Sequence, residues 1–300
     1  MAQKFLEDDN HEFREIRSGA LDGLKMTIPF TISQKHRLME LGAPDAARVF
    51  LSAKERDLAF EEVASRFVGR NRQAIMDLRD GVRRPILRLV EGQLVDSAVR
   101  LGFIEVATPT IISRKFIERM GIVRGSKLWN KIFWVDEKRC LRPMLAPNLY
   151  AVMGKLRRLW KPVRIFELGS CFRRETRGAV HLEEFTMFNF VELAPEKEPL
   201  TRLQHLIDRI MKELGFAAYE LETKPSEVYG TTLDVRVDGV EVASAALGPK
   251  PMDENWGIIE PWIGAGFGVE RLAMRTGKFN SITKVSKSLE YFSGAAVDIR

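Results

Sequence analysis

Cysteine and histidine are both scarce in this chain, which has Cys140 and Cys171 and four histidines in 300 residues. Two cysteines give no disulfide framework, and with the scattered His11, His36, His181 and His205 they assemble no Cys/His zinc site. No apolar run is long enough to span a bilayer, and the acidic N-terminus does not have the pattern of a signal peptide. The sequence also lacks a G-x-x-x-x-G-K loop and a regular alternation of strands with helices, which excludes P-loop and Rossmann nucleotide sites. A reducing cytoplasm is the expected setting.

What is present is a hydrophobic content of 45%, enough to fill a core, and a formal charge of +6, which favours a polyanionic partner. The order of elements reads as helical first and then mainly antiparallel β. Residues 1–29 form a polar extension without a sustained period, with one helical turn at Glu12–Ile16; residues 30–100 form a helical region; residues 101–300 form the strand-rich body. The capping-box pattern Ser52…Glu55 predicts a helix to about Phe67. Pro85 opens another, whose stripe of Ile86, Leu89, Val90 and Leu94 ends at Gly102. Further helices are expected at about 146–158, 201–214 and 268–276. Asp238-Gly239 predicts a two-residue hairpin turn, and on its return strand Val240, Val242 and Ser244 alternate with Glu241, Ala243 and Ala245.

The densest chemistry lies between Arg164 and Glu192, where two strand-like runs flank a charged loop. The first ends in Phe172-Arg173-Arg174-Glu175; the second begins at Phe185. The loop carries Arg177, Gly178, His181, Glu183 and Glu184, a composition suited to closing over a polyanion. Taken alone it is an ion-paired strand end. It is joined, in order, by Leu101–Ile112, a helix end followed by a long strand carrying Pro109, and by Gly264–Leu272, a glycine-rich strand running into a helix with Arg271 in its first turns. The three segments together resemble the signature motifs of class II aminoacyl-tRNA synthetases. LRPMLAPNLY (141–150), HLEEFTM with Asn189, Val228-Tyr229-Gly230 with Leu233-Asp234-Val235, and Pro261–Gly268 narrow the resemblance to the pyrrolysyl-tRNA synthetase family, from about Phe30 to the C-terminus.

The resemblance implies an α+β fold, an antiparallel sheet flanked by helices with an N-terminal helical region, and a catalytic core over residues 101–300. It implies activation of pyrrolysine with ATP and Mg²⁺, and transfer to the amber-suppressor tRNA, tRNA(Pyl), by a homodimer. Arg173 is then the α-phosphate arginine and Arg271 the arginine on the far phosphates of a bent ATP. Glu175 contacts the adenine amino group, Phe185 stacks on the base, and His181 lies in the loop covering ATP. Glu241 and Ser244 match the family's magnesium-binding positions. Guanidinium suits both arginine roles because it stays charged and offers planar, bidentate donors to phosphate.

Carried over position by position, Ala146, Leu149, Tyr150, Met153, Ile165, Val191 and Trp262 form the amino-acid tunnel, Asn189 bonds the substrate's side-chain amide, and Tyr229 lies over its ring. Alternation supports part of this, since Met187, Asn189 and Val191 share a strand face and a polar Asn between apolar neighbours needs a partner. The alternatives are a phenylalanyl-like or phosphoseryl-like class II synthetase, disfavoured by the absence of their additional domains, and a non-catalytic paralogue that binds tRNA, opposed by Arg173, Glu175 and Arg271. Longer family members carry a basic tRNA-binding domain ahead of the catalytic one. With only a short polar extension here, the chain resembles either the stand-alone short class or the catalytic half of a split pair, and the expectation is that no separate tRNA-binding chain is needed. Arg70/Arg72, Arg79/Arg83/Arg84/Arg88 and Lys155/Arg157/Arg158/Lys161 are then the candidate backbone contacts.

Overall fold

The structure, a computed structural model, describes residues 27–44, 47–81, 83–175, 178 and 180–298; the helical turn expected at Glu12–Ile16 lies outside them. The chain divides into two compact units, Met1–Ala74 with Asp298–Arg300, and Ile75–Val297. In the first, β1 (Ile28–Pro29) pairs with β2 (Val49–Phe50), and α1 (Ile32–Glu40) starts at a capping box in which Thr31 and Gln34 satisfy each other's backbone N–H. Helix α2 (Ala53–Asp80) starts where Ser52 and Glu55 predict but continues well past Phe67. The apolar stripe thins there, yet buried Asn71 donates to Leu41 O at 3.0 Å and Phe67 O at 2.9 Å, and the residues that follow include good helix formers.

The second unit takes in the last residues of α2 from Ile75 and continues with α3 (Ile86–Arg100), closed by Gly102 at φ +84° as expected of a helix-ending glycine. The long strand expected after it is broken into β3 (Ile104–Glu105) and β4 (Ile111–Ser113). Thr108 N–H is drawn to the Glu167 carboxylate at 3.0 Å and Pro109 has no N–H, so no ladder continues through them. Short helices α4 (Arg114–Arg119) and α5 (Lys127–Asn130) and strand β5 (Arg139–Leu141) lead to α6 (Ala146–Leu156), which has Pro147 in its first turn. Then come β6 (Val163–Phe172), β7 (Glu184–Leu193), α7 (Pro199–Glu213), β8 (Glu220–Ser226), β9 (Gly230–Val237), β10 (Val240–Gly248), β11 (Trp262–Gly268) and α8 (Val269–Thr276), with β12 (Tyr291–Phe292) and β13 (Ala295–Ala296) at the end.

Seven strands form one sheet in the order β3-β6-β7-β11-β10-β9-β8, antiparallel except for the β3/β6 pair. Alternation gives the sheet two different faces. Phe188 and Phe190 of β7, Ile263, Ala265 and Phe267 of β11, and Phe166 of β6 pack against α3, α7 and α8 in one core. The Phe188 and Phe190 rings lie 5.9 and 6.4 Å from Phe267, geometry in which an aromatic pair adds about 0.5–1.5 kcal/mol beyond area burial. Val191, Leu193 and Trp262 face the other way, toward α6 and the 112–145 segment. Cys140 and Cys171 are free and buried, and burial pushes both thiols up to about 12, so neither is a nucleophile near neutral pH. No helix among the described residues is long and apolar enough to cross a membrane.

Behind α6, a salt-linked turn ties its C-terminal end to the start of β11. Glu260 accepts from Lys161 Nζ at 2.6 Å and Arg157 Nη2 at 3.1 Å, and Arg157 also donates to Gly257 O. Burial pushes the Glu260 carboxyl up, but these bonds and local backbone N–H groups outweigh it and hold the group at about 2. A pKa lowered by folding contributes stability above the unfolded value, and that contribution is lost as pH falls toward the folded one. Glu260→Gln should therefore lower Tm at neutral pH, with the gap to the parent narrowing from about pH 5 to about pH 3; a gap constant over that range would show that the carboxylate contributes nothing. The same pairing commits Arg157 and Lys161, two of the cations expected to face tRNA.

Candidate active site

The outer face of the sheet carries two joined cavities. One, of about 320 Å³, is walled by Ala146, Leu149, Tyr150 and Met153 of α6, Met187, Asn189 and Val191 of β7, Tyr229 of the β8–β9 turn, and Trp262 of β11. The second is lined by Glu175, His181, Phe185 and Arg271. Arg173, Met187, Glu241, Ser244 and Gly266 belong to both, so every sequence-predicted site residue except Ile165 lines one cavity or the other. Ile165 is fully buried in the core behind the first cavity and does not reach its surface, so it supports the wall from behind.

Glycines make the floor. Gly264 and Gly266 of β11 alternate with the core residues Ile263 and Ala265, and Gly266 pairs in register with Asn189. A Cβ on Gly266 would lie 2.8 Å from Asn189 Oδ1 and 3.0 Å from Met187 Cε, so the Asn amide occupies space that only glycine leaves. Asn189 Oδ1 is buried and accepts no hydrogen bond among the described residues. Stranding such an oxygen costs about 1–3 kcal/mol unless a donor arrives. Burial also holds the Tyr150 and Tyr229 phenols well above their ordinary value, so both remain neutral donors or acceptors.

Charge gathers at the junction. Arg173 Nε donates to Pro143 O at 2.7 Å, and its guanidinium sits 5.3 Å from the centre of the Phe185 ring. That anchor is itself fixed: neighbouring Arg142 makes a buried 2.7 Å pair with Glu167 and donates to Ser170 O and Thr108, joining the residues after β3 to β6. Desolvation lowers the Arg173 pKa from its ordinary value, a cost that an incoming anion relieves. Arg271 Nη1 donates to Glu241 O at 3.0 Å and to its carboxylate at 3.1 Å, and Arg271 Nε reaches Val180 O at 3.4 Å.

Glu241 and Ser244 meet through a feature that strict alternation hides. Three residues apart, they would point to opposite faces of a regular strand, but the β9/β10 register shifts between Glu241 and Ala243. Val242 and Ala243 both enter the core, leaving Glu241 and Ser244 on the cavity side. Ser244 Oγ donates to Asp234 Oδ1 at 2.7 Å. These oxygen donors at the junction suit a hard cation such as Mg²⁺ sharing phosphate ligands.

Sequence reasoning missed three supports. Lys131 Nζ holds both Glu175 oxygens at 2.7–2.9 Å. Buried Glu270 accepts Thr186 N–H on both oxygens at 2.8–2.9 Å, clamping the second signature to the third; burial raises its pKa. Asp253 lies behind the aromatic wall and is treated below. Lys131 and Asp253 make long-range contacts that no local pattern announces, whereas Glu270, next to Arg271 in the third signature, was legible as a candidate.

Residues 72–293 match the family described as tRNA synthetases class II core domain (F). The chain belongs to that class. Among curated proteins it is similar to the threonine–tRNA ligase of Nitrosomonas eutropha, 27% identical over 197 residues covering 61% of this chain and 30% of the ligase. It is also similar to that of Natranaerobius thermophilus, 29% identical over 145 residues covering 44% and 22%. The chain thus spans less than a third of the length of these curated relatives. Two solved structures match nearly end to end. The pyrrolysyl-tRNA synthetase of Desulfitobacterium hafniense superposes with a TM-score of 0.85 at 40% identity over 92% of this chain and 100% of that one. The structure of PylSc, a pyrrolysyl-tRNA synthetase of the same organism, gives 0.81 at 40% identity over 90% and 98%. Within class II, the chain belongs to the pyrrolysyl-tRNA synthetase family.

Proposed function

We propose that this chain activates pyrrolysine with ATP and esterifies tRNA(Pyl), working as a homodimer as its family resemblance implies. The observation that carries the substrate reading is the buried, unpartnered Asn189 Oδ1 beside the apolar walls of the first cavity. A long side chain with an amide N–H near its end supplies the missing donor while its ring fills the space among Tyr150, Tyr229 and Trp262. Threonine, phenylalanine and phosphoserine carry no such N–H, and phosphoserine would bring a charge into an apolar space.

The reaction needs no base. The amino acid's carboxylate attacks the α-phosphorus of ATP and pyrophosphate leaves, so the protein positions the two reactants and neutralises shifting charge. Arg173, shared by both cavities, orients the reacting phosphorus, and Arg271 takes the far phosphates once these draw it from Glu241. Phe185 stacks on adenine, Glu175 meets its amino group, and His181 lies in the covering loop. Glu241 and Ser244 would hold Mg²⁺, which when bound offsets phosphate charge.

Amino-acid-dependent ATP–pyrophosphate exchange measured with pyrrolysine, phenylalanine, phosphoserine and threonine tests this reading. Exchange with pyrrolysine alone is the expected result, followed by charging of tRNA(Pyl) that weakens steeply with salt as phosphate contacts release counterions. Exchange with one of the other three and none with pyrrolysine would overturn the substrate assignment.

A further inference from the structure

The aromatic wall of the first cavity is held from outside the cavity. Asp253, in the short 3₁₀ helix Pro251–Trp256, is fully buried and does not line the cavity. Its Oδ1 accepts from the Tyr150 hydroxyl at 2.7 Å, and its Oδ2 accepts from Trp262 Nε1 and from Lys250 N, each at 2.6 Å. No cationic side chain pairs with it among the described residues. A carboxylate buried among neutral donors is costly, and three hydrogen bonds, two of them from side chains of the cavity wall, offset that cost. What the carboxylate adds is direction.

That direction falls on two rings of the cavity wall. Tyr150 and Trp262 meet edge to face with centres 5.7 Å apart, and Tyr229 lies 5.9 Å from Trp262 on its cavity side. Trp256, three residues after Asp253 on the same turn, stacks on Tyr150 at 5.5 Å. On the strand beside Trp262, Gly248 leaves its indole room, since a Cβ there would sit 1.7 Å from Nε1. With glycine beside it, the indole is held by its contacts with Tyr150 and Tyr229 and, as its one polar anchor among the described residues, by the bond to Asp253. The carboxylate thus joins α6, the turn and β11 at one point and fixes the shape of the cavity's aromatic end.

We propose that Asp253 is a positioning residue for amino-acid selection: without touching the amino acid, it locks Tyr150 and Trp262 in the rotation that accepts the long side chain. The proposal rests on reading the first cavity as the amino-acid site.

Asparagine offers a discriminating substitution. Its amide oxygen can accept from Trp262 Nε1 and Lys250 N while its NH₂ donates to the Tyr150 hydroxyl, which accepts as readily as it donates. Alanine leaves all three donors without an acceptor and frees both rings.

The test is steady-state exchange for the parent, Asp253→Asn, Asp253→Ala and Tyr150→Phe, with KM measured separately for pyrrolysine and ATP and each protein checked by thermal unfolding. Asp253→Ala should raise KM for pyrrolysine about tenfold or more, as expected for a displaced wall, with KM for ATP unchanged. It should also narrow the preference over phenylalanine. Asp253→Asn should restore both values to within about threefold of the parent, while Tyr150→Phe, keeping the ring but losing its tether, should fall between. A folded Asp253→Ala protein with parental KM and preference overturns the proposal. If Asp253→Ala does not fold, Tyr150→Phe decides, and parental KM values there overturn it equally. If the parent itself prefers another amino acid, the substrate reading fails first, and the same ratios taken with that amino acid still decide the role of Asp253.

Discussion

Arg173→Ala should remain folded and lose amino-acid-dependent exchange by at least about a hundredfold, the usual scale for one preorganised donor aimed at developing charge. The expectation follows from its place in both cavities and from its tether to Pro143 O. That tether leaves the outer guanidinium nitrogens for a phosphate. Lysine should recover little, because one ammonium cannot hold the carbonyl and also present a planar pair of donors. Losing the tether strands Pro143 O at a cost of about 1–3 kcal/mol, so rates must be referred to folded protein. Arg271→Ala should lose activity on the same scale while also releasing Glu241. Parental exchange by folded Arg173→Ala would refute the assignment of the second signature.

Selectivity should respond to Asn189 more than to any other wall residue. A site built to hydrogen-bond a substrate group rejects analogues lacking it by up to about 10⁴-fold, because its own polar atoms are left buried and unpaired. Asn189→Ala removes both the acceptor and the reason for rejection. It should weaken pyrrolysine use and admit bulkier aromatic amino acids. Gly266→Ala should act on the same atom from below, since its Cβ would press on Oδ1. Competition assays with pyrrolysine and phenylalanine read both variants, and an unaltered preference in Asn189→Ala would make this Asn a packing residue.

Much of this arrangement was legible in the sequence wherever chemistry and period coincided. The run from Gly264 read as a glycine-rich strand leading into a helix, and the structure places Gly264 and Gly266 on the cavity side of that strand. Asp238 and Gly239 take the positive φ angles, +46° and +76°, that their turn predicts. Met187, Asn189 and Val191 do share the cavity wall. Three things were hidden for physical reasons. Helix α2 outruns its apolar stripe because a buried side-chain amide and good helix formers carry it onward. The first-signature strand breaks because Thr108 N–H bonds a carboxylate 59 residues away. Ile165 pairs with Val191 on the cavity side of the sheet, yet it is covered by the residues packed around it and does not reach the cavity surface.

The irregularity in β10 has a consequence for how this site tolerates change in length. Side chains on a strand are read in twos, and the extra residue at Val242 puts Glu241 and Ser244 in phase, much as an inserted letter restores a reading frame. Deleting Val242 could leave the hydrogen-bonded ladder whole and the fold intact. It would also bring Glu241 and Ser244 to two positions apart, the spacing that a regular strand keeps on one face, so the bulge and the number of residues compensate each other. What the pair does not tolerate is a change in one without the other: a residue inserted beside the bulge, or a bulge flattened with the count kept, turns the carboxylate or the hydroxyl into the hydrophobic layer, and such chains should be sheet-competent and catalytically silent.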